Sequence, residues 1–169
     1  MKWMGTILIL LSALSFSTKT IRDRKEKLCL LDSLCQALRT MAAELESGGY
    51  PLPQLFERTA AACSGEVSRF FLMQTERINT PERESFSQIW SEDVRLYFPS
   101  LGQDEQQTLL RLGSVLGRYD RLRQAEEIRS CEGILRDRLD ALRLAYPGDR
   151  RAFLGSICAA GVLLIIVLM

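Results

Sequence analysis

The chain contains no histidine. That absence removes the commonest general base and the commonest metal ligand together. Cysteine is scarce and unpaired in pattern: five residues, at 29, 35, 63, 131 and 158, with no C-x-x-C spacing. They read as reduced core thiols of a cytoplasmic domain, with Cys158 inside an apolar run. Net charge is only +1, and no basic patch is interleaved with aromatics, so nucleic acid is not an expected partner. There is no phosphate-binding glycine loop. Gly113-Ser-Val-Leu-Gly117 is not the G-x-S-x-G nucleophile arrangement, and nothing is present to activate Ser114. The acid pairs Glu92-Asp93 and Glu126-Glu127 are adjacent, so on a helix they diverge and read as solvated charge. No alternating β-branched run with hairpin chemistry occurs between Arg22 and Tyr146. These gaps predict no enzyme, no cofactor, no metal and no small-molecule substrate.

What the chain does have is hydrophobicity at both ends. Ala152 to Met169, AFLGSICAAGVLLIIVLM, carries no charge, and as a helix it reaches roughly 27 Å, close to bilayer thickness. Arg150 and Arg151 stand just before it, which under the positive-inside rule places the preceding residues in the cytoplasm. At the other end Trp3 to Phe16 is nearly as apolar and is followed by Lys19, Arg22, Arg24, Lys25 and Lys27. It is a little short for a span, but Lys2 and Lys19 can snorkel and Trp3 suits an interface. A signal peptide cleaved near Ala13-Leu-Ser15 is the rival reading; the cations that follow the run argue against export. The expected organisation is an N-terminal transmembrane helix over 1–18, a cytosolic helical bundle over 19–151 and a C-terminal transmembrane helix over 152–169. In the terminal span, Gly155 with Ala159 and Ser156 with Ala160 form small-residue pairs that suit packing against the other span or a neighbouring subunit.

Between the spans, apolar residues recur at helical spacing. Leu28, Leu31, Leu34, Leu38, Met41 and Leu45, widened by Cys35 and Ala42, predict a first amphipathic helix to about Glu46. Ser47-Gly48-Gly49 stops it. A short second helix follows Pro51 with Leu52, Leu55, Phe56, Thr59, Ala60 and Cys63, and a third carries Val67, Phe70, Phe71, Gln74 and Ile78. Thr80 and Pro81 read as the start of a fourth, with Phe86, Ile89, Trp90, Val94 and Tyr97 on one face. The fifth begins near Gln103 or Asp104, with acids where the macrodipole favours them, and buries Leu109, Leu112, Gly113 and Leu116. A long sixth runs through Ala125, Ile128, Cys131, Leu135, Leu139, Leu142 and Tyr146, near heptad spacing, and is predicted to break at Pro147-Gly148. The fold is all-α: an antiparallel bundle of about six helices, the two longest paired. Their basic ends, Arg22 to Lys27 and Arg143, Arg150 and Arg151, are placed by this reading against anionic headgroups.

Three stretches carry a family resemblance. They are Leu31-x-x-Leu34-x-x-x-Leu38 through Glu44 with Gly49-Tyr50-Pro51-Leu52; Leu112-Gly113-x-x-Leu116-Gly117-Arg118-Tyr119-Asp120-Arg121-x-x-Gln124; and Leu154-Gly155 to Gly161-x-Leu163-Leu164 with Leu168-Met169. In that order, with apolar segments at both ends, the chain resembles the stage III sporulation protein AB family of endospore-forming bacteria. The second stretch is the most specific. The resemblance implies a membrane protein, required for sporulation, of the secretion-like channel, or feeding tube, between mother cell and forespore. It implies location in the mother-cell membrane around the forespore and a cytosolic domain similar to the platform protein of type II secretion and type IV pilus machines. A cytosolic ATPase, other membrane components of the channel and the lipid bilayer are then the expected partners.

Within the central stretch, Asp120 suits a helix cap, and equally Asp120, Arg121 and Gln124 beside Gly117 suit a polar contact with a partner. Gly113 and Gly117, four apart, allow close helix approach or merely weaken a helix near its end. The alternative function is a two-span oligomeric pore or transporter fragment. Neither span carries a charge or polar stripe to line a path, which counts against it.

Overall fold

Apolar residues at three- and four-residue steps from Leu31 to Leu45 give that part of α1 (Lys2–Ser47) a buried stripe, and the remaining helices close over it. In the computed structural model these are α2 (Leu52–Ala61), α3 (Gly65–Asn79), α4 (Phe86–Tyr97), α5 (Gln103–Val115) and α6 (Arg121–Leu168). The structure describes the backbone of residues 2–48, 50–79 and 85–168, and the side chains of 24–48, 50–79 and 85–145. Among the described residues there are six helices and no strand, the all-α class that the periodicity implies.

The two long helices pair antiparallel. Leu31, Leu34, Leu38, Met41 and Leu45 of α1 and Ala125, Ile128, Cys131, Leu135 and Leu139 of α6 are all buried. Ion pairs edge this seam: Arg143 with Asp32 at 2.8 Å, Arg39 with Glu132 at 3.0 Å and Arg129 with Glu46 at 2.6 Å. From Asp32 to Glu46 is fourteen residues along α1, and from Arg143 back to Arg129 is the same fourteen along α6, so the register is constant. Each such exposed pair is worth about 0–1 kcal/mol, so the seam is held mainly by its leucines while the charges fix its alignment.

The shorter helices fill one flank with an aromatic cluster. Phe56 of α2, Phe70 and Phe71 of α3, Trp90 of α4 and Phe98 after it are fully buried, with ring centroids 4.9 Å apart for both Phe70–Trp90 and Phe70–Phe98. Leu101, just beyond, is buried too; Phe98 and Leu101 escape the helical periodicity because they lie in the turn after α4.

Several expectations need correction. No break occurs at Pro147-Gly148, because α6 continues to Leu168. A proline inside a helix loses one backbone hydrogen bond, a penalty of about 3 kcal/mol that a helix of 48 residues tolerates locally. α1 likewise runs without interruption from Lys2 to Ser47. α4 starts at Phe86, where Gln88 accepts hydrogen bonds from the Ser85 N–H and hydroxyl at 3.1 Å; Thr80 and Pro81, read as its start, lie outside the described residues. Asp93 is not solvated. It falls on the inward face of α4 beside Trp90 and Val94, accepts a 2.6 Å hydrogen bond from Gln74 and lies 3.4 Å from Arg77.

Cys29 is exposed and Cys63 half-buried, whereas Cys35 and Cys131 are buried; all four are free thiols. Lys27 and Arg143, read as headgroup cations, are engaged within the domain, by Glu105 and by Asp32. The side chains of both apolar segments, including Gly155, Ser156, Ala159 and Ala160, lie outside the described residues. Among the described residues no helix is long and apolar enough to cross a membrane.

Candidate functional site

The antiparallel pairing sends the N-terminal part of α1 and the C-terminal part of α6 away from the same end of the domain. The opposite, distal end is where α5 turns into α6, and there stands the most specific sequence stretch, Leu112 to Gln124.

Each residue type in that stretch has a local cause. Gly113, buried in α5, lies under the indole of Trp90; a Cβ here would come within 2.2 Å of Trp90 Cδ1. The indole Nε1–H donates to the Leu109 carbonyl at 2.7 Å, an acceptor reachable only because Gly113 presents bare backbone. α5 ends at Val115. Leu116 has φ −59° and ψ 129°, Gly117 has φ +77°, and the Arg118 N–H donates to the Val115 carbonyl at 3.2 Å. Those angles define a type II turn, whose third position requires the left-handed region that glycine alone enters without strain. Asp120 then caps α6: its carbonyl accepts from the Gln124 N–H at 3.0 Å and its carboxylate from the Arg123 N–H at 3.3 Å. Gln124 is buried and closes the corner, its amide donating to the Tyr119 carbonyl and its Oε1 accepting from the Gly117 N–H at 3.2 Å.

The four residues singled out from the sequence are thus brought together, in different roles. Gly117 and Gln124 build the turn and Asp120 caps the helix. Arg121 is exposed. Beside it stand Arg118, Tyr119 at 46 % exposure and Leu122 at 72 %, with the Arg123 guanidinium 4.6 Å from the centre of the Tyr119 ring. Arg111 is bound by Glu127 at 3.0 Å, whereas no ion pair engages Arg118 or Arg121 among the described residues. The rigid corner therefore holds two uncompensated guanidinium groups and two apolar side chains in water, a combination suited to an acidic protein surface. Tyr119 and Leu122 were not singled out from the sequence; Leu122 falls outside the buried stripe of α6, the one signal that marks it.

The chemistry of the described side chains is otherwise quiet. Burial pushes the Cys35 thiol up to about 11, with Glu132 and Asp32 adding to the shift, and the Cys131 thiol up to about 12; both therefore remain protonated and unreactive near neutrality. Ser114 donates to its own helix at Arg111. Among the described residues no group of three or more His, Cys, Asp or Glu is placed to hold a metal ion.

Fold and corner together define a class: a small all-α domain whose short helices pack on two long antiparallel ones. The family model for stage III sporulation protein AB (spore_III_AB) matches residues 2–169, and the chain belongs to that family. It is accordingly a sporulation protein. No curated protein and no solved structure matches it significantly.

Proposed function

We propose that the chain is a non-enzymatic, membrane-anchored scaffold of a secretion-like channel between mother cell and forespore. Its two apolar end segments hold it in the mother-cell membrane around the forespore and meet other membrane components of the channel. Its helical domain lies in the cytoplasm and docks a cytosolic ATPase of the same complex through the distal corner. The observation that supports this reading most is the polarity of the fold: both apolar segments lead from one end, and the exposed Arg118, Tyr119, Arg121 and Leu122 stand at the other. A partner arriving from the cytoplasm meets that corner first, and steering by two free arginines speeds its capture.

The test is charge reversal at positions whose side chains make no internal bond. Arg118→Glu with Arg121→Glu leaves the helical circular dichroism of the full chain unchanged and abolishes co-purification of the ATPase from sporulating cells. Undiminished co-purification would remove the corner from the docking surface.

A further inference from the structure

The sixth helix has a second face, turned away from the domain. Its inward stripe, Ile128, Cys131, Leu135, Leu139 and Leu142, packs into the core. Ile134 and Ala141 each stand one residue before a member of that stripe, a rotation of about 100° around the helix. Ile134 is 43 % exposed, Ala141 is exposed, and Leu144, three residues on, is 80 % exposed. Asp137 lies between them, exposed and in no ion pair among the described residues. Its neighbour Arg138 reaches Asp104 of α5 at 2.6 Å, with both side chains more than half exposed.

The spacing and the charges of this face say what covers it. Ile134, Ala141, Gly148 and Gly155 follow one another at seven-residue steps, and Asp137 and Leu144 stand three after the first two. Because α6 is one helix from Arg121 to Leu168, that repeat runs unbroken from the domain into the apolar run. A seven-residue repeat is the register of two helices wound side by side, and glycines at its later positions suit close approach of backbones in an apolar segment. In a parallel pair of this register the position of Asp137 stands beside the following position on the other helix. Asp137 of each copy therefore meets Arg138 of the other, and the contact is made twice about a two-fold axis. A foreign partner would have to bring both charges in the right order; this chain already carries them.

We propose that a second copy of the chain packs on this face, α6 against α6 in parallel, with Ile134, Ala141 and Leu144 in the seam and Asp137 paired reciprocally with Arg138. Arg138 keeps Asp104 while it does so, since a guanidinium has five donors to share. From Ile134 to Gly155 the seam is 21 residues long, about 32 Å. The pairing sets two distal corners at a fixed separation, so a symmetric partner binds them with the avidity of two linked sites. The parallel direction rests on the membrane anchoring proposed above, which roots both copies in one bilayer by the same segment.

The experiment uses the full chain with Cys29→Ser and Cys158→Ala, the buried Cys35 and Cys131 and the half-buried Cys63 being poorly reactive. To this background is added Ile134→Cys, Ala141→Cys or, on another side of the helix, the exposed Arg136→Cys. The protein is reconstituted into phosphatidylglycerol–phosphatidylcholine vesicles, floated on a density gradient and oxidised by air with copper phenanthroline. The expected result is a disulfide-linked dimer at 134 and at 141, and several-fold less at 136. A disulfide needs Cα atoms within about 7 Å, and positions 134 and 141 lie about 10 Å apart along the axis, so both self-link only in a parallel pair. Linkage at neither, at only one of the two, or equally at all three positions would overturn the pairing. Without added cysteines, Asp137→Arg lowers the dimer fraction several-fold in sedimentation in mild detergent, and adding Arg138→Asp restores it. No loss, or no recovery, would overturn the assignment of this face to a second copy. Flotation is read separately: protein that stays at the bottom of the gradient overturns the anchoring, whereas protein that floats without these cross-links overturns the pairing alone.

Discussion

Replacing Gly113 by alanine tests the packing of the whole aromatic flank. The added Cβ would lie 2.2 Å from Trp90 Cδ1, 2.5 Å from Cγ and 2.9 Å from Nε1, where about 3.5–4.0 Å is the comfortable range for carbon atoms. The ring must therefore retreat by about 1 Å or more. It has nowhere to go, since Trp90 is 1 % exposed and is packed edge-on against Phe70 at 4.9 Å, with Phe56 at 6.0 Å and Phe86 at 5.7 Å. Overpacking of this kind costs about 1–3 kcal/mol, and pulling the indole N–H off the Leu109 carbonyl adds about 1–3 kcal/mol for a buried donor left unpaired. Against this, alanine is the better helix former by about 1 kcal/mol. The net expectation is a loss of about 1–5 kcal/mol, read as a lower urea midpoint for the full chain in mild detergent, followed by near-ultraviolet circular dichroism. In a Trp90→Ala background the ring that the new Cβ meets is gone, so the alanine penalty shrinks to less than about 1 kcal/mol in a double-mutant cycle. A neutral Gly113→Ala in the wild-type background, or an equal penalty in both backgrounds, would refute the packing of Trp90 on Gly113.

Three further outcomes follow from the same geometry. Gly117→Ala forces a side chain into the left-handed region, at φ +77°, and toward Leu52 at 3.1 Å, so it destabilises by about 1–2 kcal/mol, with Gly117→Asn milder; thermal unfolding of the pair checks this. Gln124→Leu keeps the volume but leaves the Gly117 N–H and Tyr119 carbonyl without their partner, a loss of about 1–3 kcal/mol that appears as faster amide exchange confined to the α5–α6 corner. At high pH the unfolded chain releases the Cys131 proton from the ordinary value of 9.0 while the folded chain keeps it up to about 12. The unfolded state then binds fewer protons, and stability falls as pH rises through that window, by up to about 1.4 kcal/mol per unit. Cys131→Ala flattens that slope, and an unchanged slope would contradict the burial of the thiol.

The backbone plan was legible in the order of residues. Leu31, Leu34, Leu38, Met41 and Leu45 on one side and Ile128, Leu135 and Leu139 on the other are stripes whose 3.6-residue period admits only helices, and two stripes of such length must face each other. The candidate corner was legible as a motif but not as a mechanism. Leu-Gly-x-x-Leu-Gly-Arg-Tyr-Asp marks a place, yet whether Asp120 and Gln124 meet a partner or their own backbone depends on the angles at Leu116 and Gly117. Local order also hid Asp93: its neighbour Glu92 is exposed, and the difference of a single position turns a carboxylate from water to Gln74 on another helix.

What the sequence by itself determined is the period and polarity of each segment: six helices, their buried faces, and an apolar run at either end. These are local properties, set by side chains within a turn or two of one another. Only the tertiary structure decided that Trp90 rests on Gly113, that Lys27 ties the α4–α5 turn to α1, and that Tyr119 and Leu122 are left in water. Those contacts join residues far apart in the chain, so they exist only once the register between helices has been chosen, and no periodicity along one helix encodes which residue of another it will meet.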